Sequence, residues 1–487
     1  MDHETAVWRV GDEVPTDRSG SKRSFSRNVH SVVFTVSAVS TVSMELIRAV
    51  WAVGVLLCLG LGLARHALLA GPDWTRTGPF LCAWAWGSGT ATAGALLCWT
   101  TWISEEFSII PVYGLVGLVW IWPKGAPEPP PQIATLHMNP ARPLAGRASR
   151  WVFVALVLLM VVLTLDRTGG RLEWDGWAVW EIKARAIYLE NRLDTVVMRD
   201  LSRFGFAHPD YPPLLPLLET FVYRHLQRTD ERLLGPLHAA WGWSVALIVL
   251  GLARRRLPDP FGPALTLAVM ASGPILRGIV GGLADVPLLG YNLMILVLLE
   301  RPRPGVGLGL AVLGALLVKN EGRVTFGATA LALILTKAED ASSKSRRIGS
   351  LVLPLILFIP WIWLMNRWHL SVDLLAGGTA PIAEWPARLS VLGCSTLSRC
   401  LDPTKVAGPV WIAIALWIAR PPAWGPAFLF CSFLGPGLMV PYVVSQKDLC
   451  WLINTSLDRV LMQFVPVAML VFRSCPDRRD GGALVCG

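Results

Sequence analysis

Charge is what this 487-residue sequence has least of: Asp, Glu, Lys and Arg together make up 16%, where a soluble domain carries about a quarter. Hydrophobic residues make up 53% and the mean hydropathy is +0.50. A chain this poor in charge cannot solvate its own surface in water, so lipid has to cover much of it. Other absences narrow the chemistry. No Walker motif, zinc-type Cys/His spacing or nucleophile elbow occurs, so a phosphate-cradling loop, a structural zinc and a serine-hydrolase turn have no basis here. Gly305, Gly307 and Gly309 lie in an apolar helical run with no strand before them, which does not support a nucleotide fingerprint. No internal repeat is visible.

The apolar runs and the tryptophans carry the positive signal. The 23 Trp suit the headgroup boundary of a bilayer. A net charge of +10 would point to nucleic acid in a soluble protein. Here it reads as Lys and Arg kept on the cytoplasmic side, with no nucleic-acid partner. Apolar runs bounded by charge, Pro or Trp mark candidate spans, the shortest of which need flanking residues to complete a crossing. They lie at Leu46–Leu69, Pro79–Ile103, Phe107–Trp122, Trp151–Leu165, Leu233–Ala253, Phe261–Val280, Val286–Leu299, Val306–Val318, Val324–Leu335, Ile348–Met365, Gly408–Ile418, Trp424–Val444 and Val460–Phe472. A further candidate, Leu214–Leu226, carries Glu219, Arg224 and His225 and reads as partly inserted or interfacial. The expected fold class is an all-α polytopic membrane protein with about 12–14 transmembrane helices and a long helical first outer loop.

Basic connectors set the sidedness. They are Lys124 to Arg150, Arg254-Arg255-Arg256, Arg301 with Arg303, Lys337 to Arg347, and the tail with Arg473, Arg478 and Arg479. Assigned to the cytoplasm, they satisfy the positive-inside rule from Lys124 onward. The resulting division is an N-terminal tail 1–43, N-terminal spans 44–123, a cytoplasmic connector 124–150, a core 151–472 with outer loops 166–232 and 366–406, and a cytoplasmic tail 473–487. Residues 1–43 fit poorly: threading places their arginines outside, and Met44 reads as a natural start. They are too rich in Ser and Thr for a good signal peptide.

The same threading brings the polar residues to one face. They are Glu173-Trp174-Asp175-Gly176-Trp177, Lys183, His208-Pro209-Asp210-Tyr211, Asp285, Lys319-Asn320-Glu321 and Arg459. Each has a plainer reading. Asp175 and Asp285 could cap helices, Lys319 and Glu321 could pair or snorkel, His208 could be an ordinary loop histidine, and Arg459 could snorkel at a helix start. Their shared sidedness favours a polar cavity at a membrane boundary. Cys58, Cys82, Cys98 and Cys431 lie in spans as small apolar residues. Cys394, Cys400 and Cys450 lie on the outer side, where a disulfide is chemically open. Asn454-Thr455-Ser456 matches a glycosylation sequon.

In this order, the five short motifs (Trp174-Asp175-Gly176-Trp177, His208 to Leu214, Ala284 to Pro287, Lys319 to Gly322, Trp451 to Arg459) resemble the GT-C-type membrane glycosyltransferases. That group includes protein O-mannosyltransferases and the lipid A aminoarabinose transferase. The likeness covers roughly residues 150–472. It implies transfer of a sugar, with inversion, from a polyprenyl-phosphate donor to a lipid, glycan or protein acceptor outside the membrane. Asp175 matches the family's catalytic acid. Glu173, Lys183, His208, Asp210, Tyr211, Asp285, Lys319, Glu321 and Arg459 are the expected substrate-binding residues, with Lys319, Arg459 and Arg277 as candidates to stabilise the leaving phosphate. A divalent metal is left open, with Asp175, His208 or Asp210 as ligand candidates. Two features depart from the family pattern: Glu173 and Asp175 are separated by Trp174, and three spans precede Trp151. The Ala-, Arg-, Gly- and Pro-rich composition points to a bacterial cytoplasmic membrane and a role in the cell envelope. The competing readings are a transporter or flippase for lipid-linked sugars, and a non-catalytic assembly factor. Against a transporter stand the missing repeat and the charges gathered at span ends.

Overall fold

A computed structural model describes residues 31–65, 79–122, 143–169, 172–257, 260–300, 305–336, 345, 348–370, 378–402, 405, 407–419 and 425–471. Arg301, Arg303, Lys337, Arg473, Arg478 and Arg479 lie outside the described residues, as do residues 1–30 and most of the connector 124–150. The chain divides into two compact units, 1–44 and 45–487; the account below concerns the second.

Among the described residues the secondary structure is helical, apart from one isolated antiparallel bridge between Thr379 and Ser445. The main helices are α1 (Ser31–Arg65), α2 (Pro79–Ser104), α3 (Ile110–Ile121), α4 (Pro143–Gly169), α5 (Ile182–Glu190), α6 (Leu214–Leu226), α7 (Gly235–Arg256), α8 (Phe261–Met270) and α9 (Gly273–Gly281). They continue with α10 (Asp285–Leu299), α11 (Gly305–Val318), α12 (Gly322–Leu335), α13 (Val352–Arg367), α14 (Trp385–Leu401), α15 (Ala407–Ala419), α16 (Pro426–Val444) and α17 (Leu449–Met469). Among the described residues, the body of each apolar run read from the sequence falls on a helix or, for Phe261–Val280, on two. By length and apolarity, Met44–Ala64, Ser149–Asp166, Glu231–Arg256 and Pro426–Val444 are able to cross a membrane, and α8 with α9 makes a fifth if the bent pair is one span. The five further apolar helices α3, α10, α11, α12 and α13 are shorter, at 12 to 16 residues.

Three sequence readings need correction. Phe261–Val280 is not one straight helix: it bends by 59° where α8 meets α9, at Ser272-Gly273-Pro274, because Pro274 can open a helix but not continue one. The final helix starts at Leu449 rather than Val460, so Asp458 and Arg459 sit within it and not before it. Leu214–Leu226 is a packed helix rather than an interfacial one. It is buried from Leu214 to Tyr223, and its polar residues are matched: His238 lies 3.2 Å from Glu219, Arg224 bonds Asn191, and His225 meets the Tyr113 hydroxyl.

At the centre is α10. Its sequence is apolar all round, and every residue from Asp285 to Leu299 is buried, the expected fate of a helix without a polar stripe. Helices α7, α11, α16 and α17 pack around it. Trp241 of α7 meets Tyr291 edge-on at 5.0 Å and Trp86 of α2 at 5.7 Å. Dense contact of this kind holds helices together where lipid removes the hydrophobic driving force. The outward faces differ: on α13, Leu355, Ile356, Ile359 and Ile362 are exposed, an apolar surface suited to acyl chains. The two ends of α10 also differ. Glu300, just past its C-terminus, pairs with Arg256 at the end of Arg254-Arg255-Arg256. The other end begins the site.

Candidate active site

The site combines helical residues of α10 and α17 with segments that leave regular α-helix. After α4 the backbone enters Trp174-Asp175 and then a π-helical turn, Gly176–Glu181. Such turns carry one extra residue and recur at functional sites. Asp175 occupies the capping position, yet its side chain makes no cap hydrogen bond; the carboxylate instead pairs with Arg459 of α17. The capping alternative for Asp175 therefore fails. Gly176 is required by close packing. A Cβ there would come within 2.2 Å of the Gly281 carbonyl oxygen. Gly176→Ala is expected to cost about 1–3 kcal/mol and to push Asp175 away from Arg459. Gly205→Ala, where a Cβ meets nothing within 4 Å, is the matched control; thermal unfolding of the two variants checks the difference.

In the next segment, Pro209, Pro212 and Pro213 have no N–H to donate and block a helix. The chain makes a tight turn, in which Tyr211 N–H donates to His208 O at 3.0 Å and His208 adopts a left-handed φ of 48°. The result is a three-ring stack. Tyr211 lies between His208 (4.9 Å, 15°) and Trp180 (5.5 Å, 22°).

Direct bonds tie the five sequence motifs into one circuit. Arg459 pairs with Asp175. One turn along α17, Gln463 donates to Asp285 at 2.5 Å. Lys319 bonds Asp285 at 3.1 Å and Glu321 at 2.8 Å. Asn320 donates to Asp210 at 2.7 Å, and Lys183 Nζ donates to the His208 carbonyl at 3.0 Å. At Gly322 a Cβ would meet the Ala315 carbonyl oxygen at 1.9 Å; only glycine lets α12 leave so close to α11 and aim Lys319 at Asp285.

These groups surround a cavity of about 660 Å³ lined by Asp175, His208, Tyr211, Lys319, Glu321 and Arg459, with Glu173 and Arg277 beside them. A small chamber of about 40 Å³ adjoins it, and there Asp285 comes to the surface. The lining also includes the apolar Leu283, Leu438, Pro441 and Val460. Glu173 lies 3.5 Å from Arg277. Of the residues expected to bind substrate, Lys183 and Asp210 are buried behind the wall and line neither space. They position His208 and Asn320. Two residues of the site were not singled out from the sequence: Gln463, and Lys405, which pairs with Asp458 at 2.6 Å.

Burial drives the Lys183 ammonium down to about 7, against the pull of Asp210 and Glu219. Lys319 shows the opposite outcome: burial opposes its charge, but Asp285 and Glu321 outweigh burial and hold it protonated above the ordinary lysine range. The Lys183 shift has a testable sign. Between about pH 7 and 10 the unfolded chain keeps a proton on this lysine that the folded chain has lost, so stability rises with pH across that window. Unfolding temperatures at pH 7 and 9 should show the rise, and Lys183→Met should flatten it.

Among the described residues no three His, Cys, Asp or Glu side chains come together as a metal site. His208 Nδ1 lies 3.9 Å from Asp210, but Asp175 is directed at Arg459, so the three donors considered for a metal do not meet at one point. Cys394, Cys400 and Cys450 are free thiols. Fold and site together define an all-α protein with membrane-crossing helices and a charged cavity at one end of its central helix. Comparison with protein-family models, with curated proteins and with solved structures gives no match.

Proposed function

We propose that this chain is a GT-C-type membrane glycosyltransferase that moves a sugar from a polyprenyl phosphate to an acceptor hydroxyl on the extracytoplasmic side. The observation that carries the reading is the convergence of the five motifs, up to 284 positions apart, on one cavity with charged and apolar lining residues. An isoprenoid suits the apolar residues, and a sugar phosphate suits the charged ones. In this scheme the full set of about 12–14 helices spans the bilayer, and the Arg254–Arg256 end of the bundle faces the cytoplasm.

Asp175 acts as general base. The acceptor oxygen attacks the anomeric carbon from the side opposite the phosphate, its proton passes to the Asp175 carboxylate, and the carbon–oxygen bond to the phosphate breaks with inversion. The departing phosphate carries the charge away and needs electrostatic stabilisation rather than a proton. The tryptophans near Asp175 support a sugar: Trp174 and Trp177 lie 5.5 Å apart, and Trp174 and Phe206 lie 6.4 Å apart.

The experiment uses proteoliposomes supplied with a panel of polyprenyl-phosphate-linked hexoses labelled in the sugar, with and without an extract of surface glycolipids as acceptor. Label appearing in a new glycolipid only with acceptor supports transfer. Label moving across the bilayer without acceptor and without new product would replace this reading by a flippase.

A further inference from the structure

The charges of the cavity are unevenly matched. Asp175, Asp285 and Glu321 lie against Arg459 and Lys319: three carboxylates against two cations, an excess of one negative charge. Both cations already hold carboxylates, so an incoming phosphate would have to displace one. Around Asp458 the balance is reversed. Asp458 takes Arg399 on one oxygen at 2.6 Å and Lys405 on the other at 2.6 Å, two cations on one carboxylate. Arg399 is further fixed by Asn454 Oδ1 at 3.3 Å. With Arg399 neutralising Asp458, the positive charge of Lys405 is surplus. Lys405, Asp458 and Asn454 line the cavity, and the Lys405 side chain is 32% exposed.

The neighbouring helix says what kind of anion reaches this point. α14 is built inside out. Arg388 turns inward to the carbonyls of Tyr442 at 3.2 Å and Lys447 at 2.9 Å, Leu392 is buried, and Arg399 turns inward to Asp458. Leu389, Leu397 and Leu401 face outward and exposed. The outward side mixes these leucines with exposed Ser390 and Ser398, a surface suited to the boundary between acyl chains and headgroups. Lys405 follows four residues after its last leucine.

We infer that Lys405, in a triad of net positive charge with Arg399 and Asp458, is a subsite for the phosphate of a lipid whose chain lies along α14. Lys319 and Arg459, outnumbered by the carboxylates around them, serve those carboxylates and not the phosphate. The inference rests on the reading that the cavity takes a lipid phosphate, and it moves that phosphate from Lys319 and Arg459 to Lys405.

The test is binding to the purified full chain in detergent, followed by tryptophan fluorescence, with farnesyl phosphate, farnesol and inorganic phosphate as probes. Farnesyl phosphate should bind wild type. Lys405→Gln should weaken it about tenfold, the loss of one charge-assisted contact, and Asp458→Asn should tighten it severalfold by removing the competing carboxylate. Farnesol should respond to neither change. Farnesyl phosphate affinity unchanged in both variants would overturn the subsite. Inorganic phosphate binding as tightly as farnesyl phosphate, with the same Lys405 dependence, would overturn the lipid part. Lys405-dependent binding in a protein that transfers no sugar would leave the subsite standing and remove the transferase reading.

Discussion

Asp175→Asn is expected to slow sugar transfer by about 10²–10⁴-fold while the protein stays folded in the membrane. Asparagine keeps the shape of the side chain and still accepts a hydrogen bond from Arg459, but its amide oxygen cannot take a proton from the acceptor. The fold should tolerate the change because Arg459 keeps the field of Asp285 and because the Asp175 side chain is 35% exposed. The measurement is initial rate against donor concentration, with gel filtration as the check on folding. Undiminished product would remove Asp175 as the base. A loss of donor affinity with an unchanged limiting rate would make it a binding residue instead.

Lys319→Met is expected to destabilise the protein by about 3–5 kcal/mol, because it removes the one cation bonded to Asp285 and Glu321 in a buried site and leaves only Arg459, itself paired with Asp175, to balance them. Lys319 is 5% exposed and Asp285 1%, so water cannot take over the screening. The cost comes from the carboxylates left behind rather than from the lost lysine. A second change should therefore recover part of it: Lys319→Met with Asp285→Asn should unfold at a higher temperature than Lys319→Met alone. If the double variant is the less stable of the two, the charge-balance account of these residues is wrong.

Most of the helices could be read from the sequence, since an apolar run bounded by charge or proline leaves few other structures in lipid. The failures lie where a local rule met a distant partner. Asp458 and Arg459 looked like the end of a loop because charges rarely sit inside an apolar helix. They lie inside α17 because Arg399, Lys405 and Asp175 neutralise them, and no local pattern states that Asp175 meets a residue 284 positions later. Helix α14 was hidden in an outer connector because its apolar and charged faces are exchanged relative to a soluble helix. The bend between α8 and α9 had a signal in Gly273-Pro274. Gln463 had one as well: it stands four residues after Arg459, on the same helical face, and a polar residue repeating that register in an apolar helix marks the side turned to the site. Lys183 and Asp210 bond segments that line the cavity, yet sequence cannot distinguish a residue that lines a cavity from one that braces its wall.

The short outer helices have a consequence for the surrounding lipid. α12 and α13 contain 14 and 16 residues and rise about 21–24 Å, while a bilayer's hydrocarbon layer is about 30 Å thick. Leu331, Ile334 and Leu335 on α12 and the isoleucines of α13 are exposed, an apolar surface that suits lipid. Under the proposed membrane arrangement these helices are too short for an unperturbed layer, so beside them the bilayer would thin or flanking residues would complete the span. Where it thins, the headgroups would sit deeper, and a lipid drifting along the protein would meet them there with its phosphate lowered.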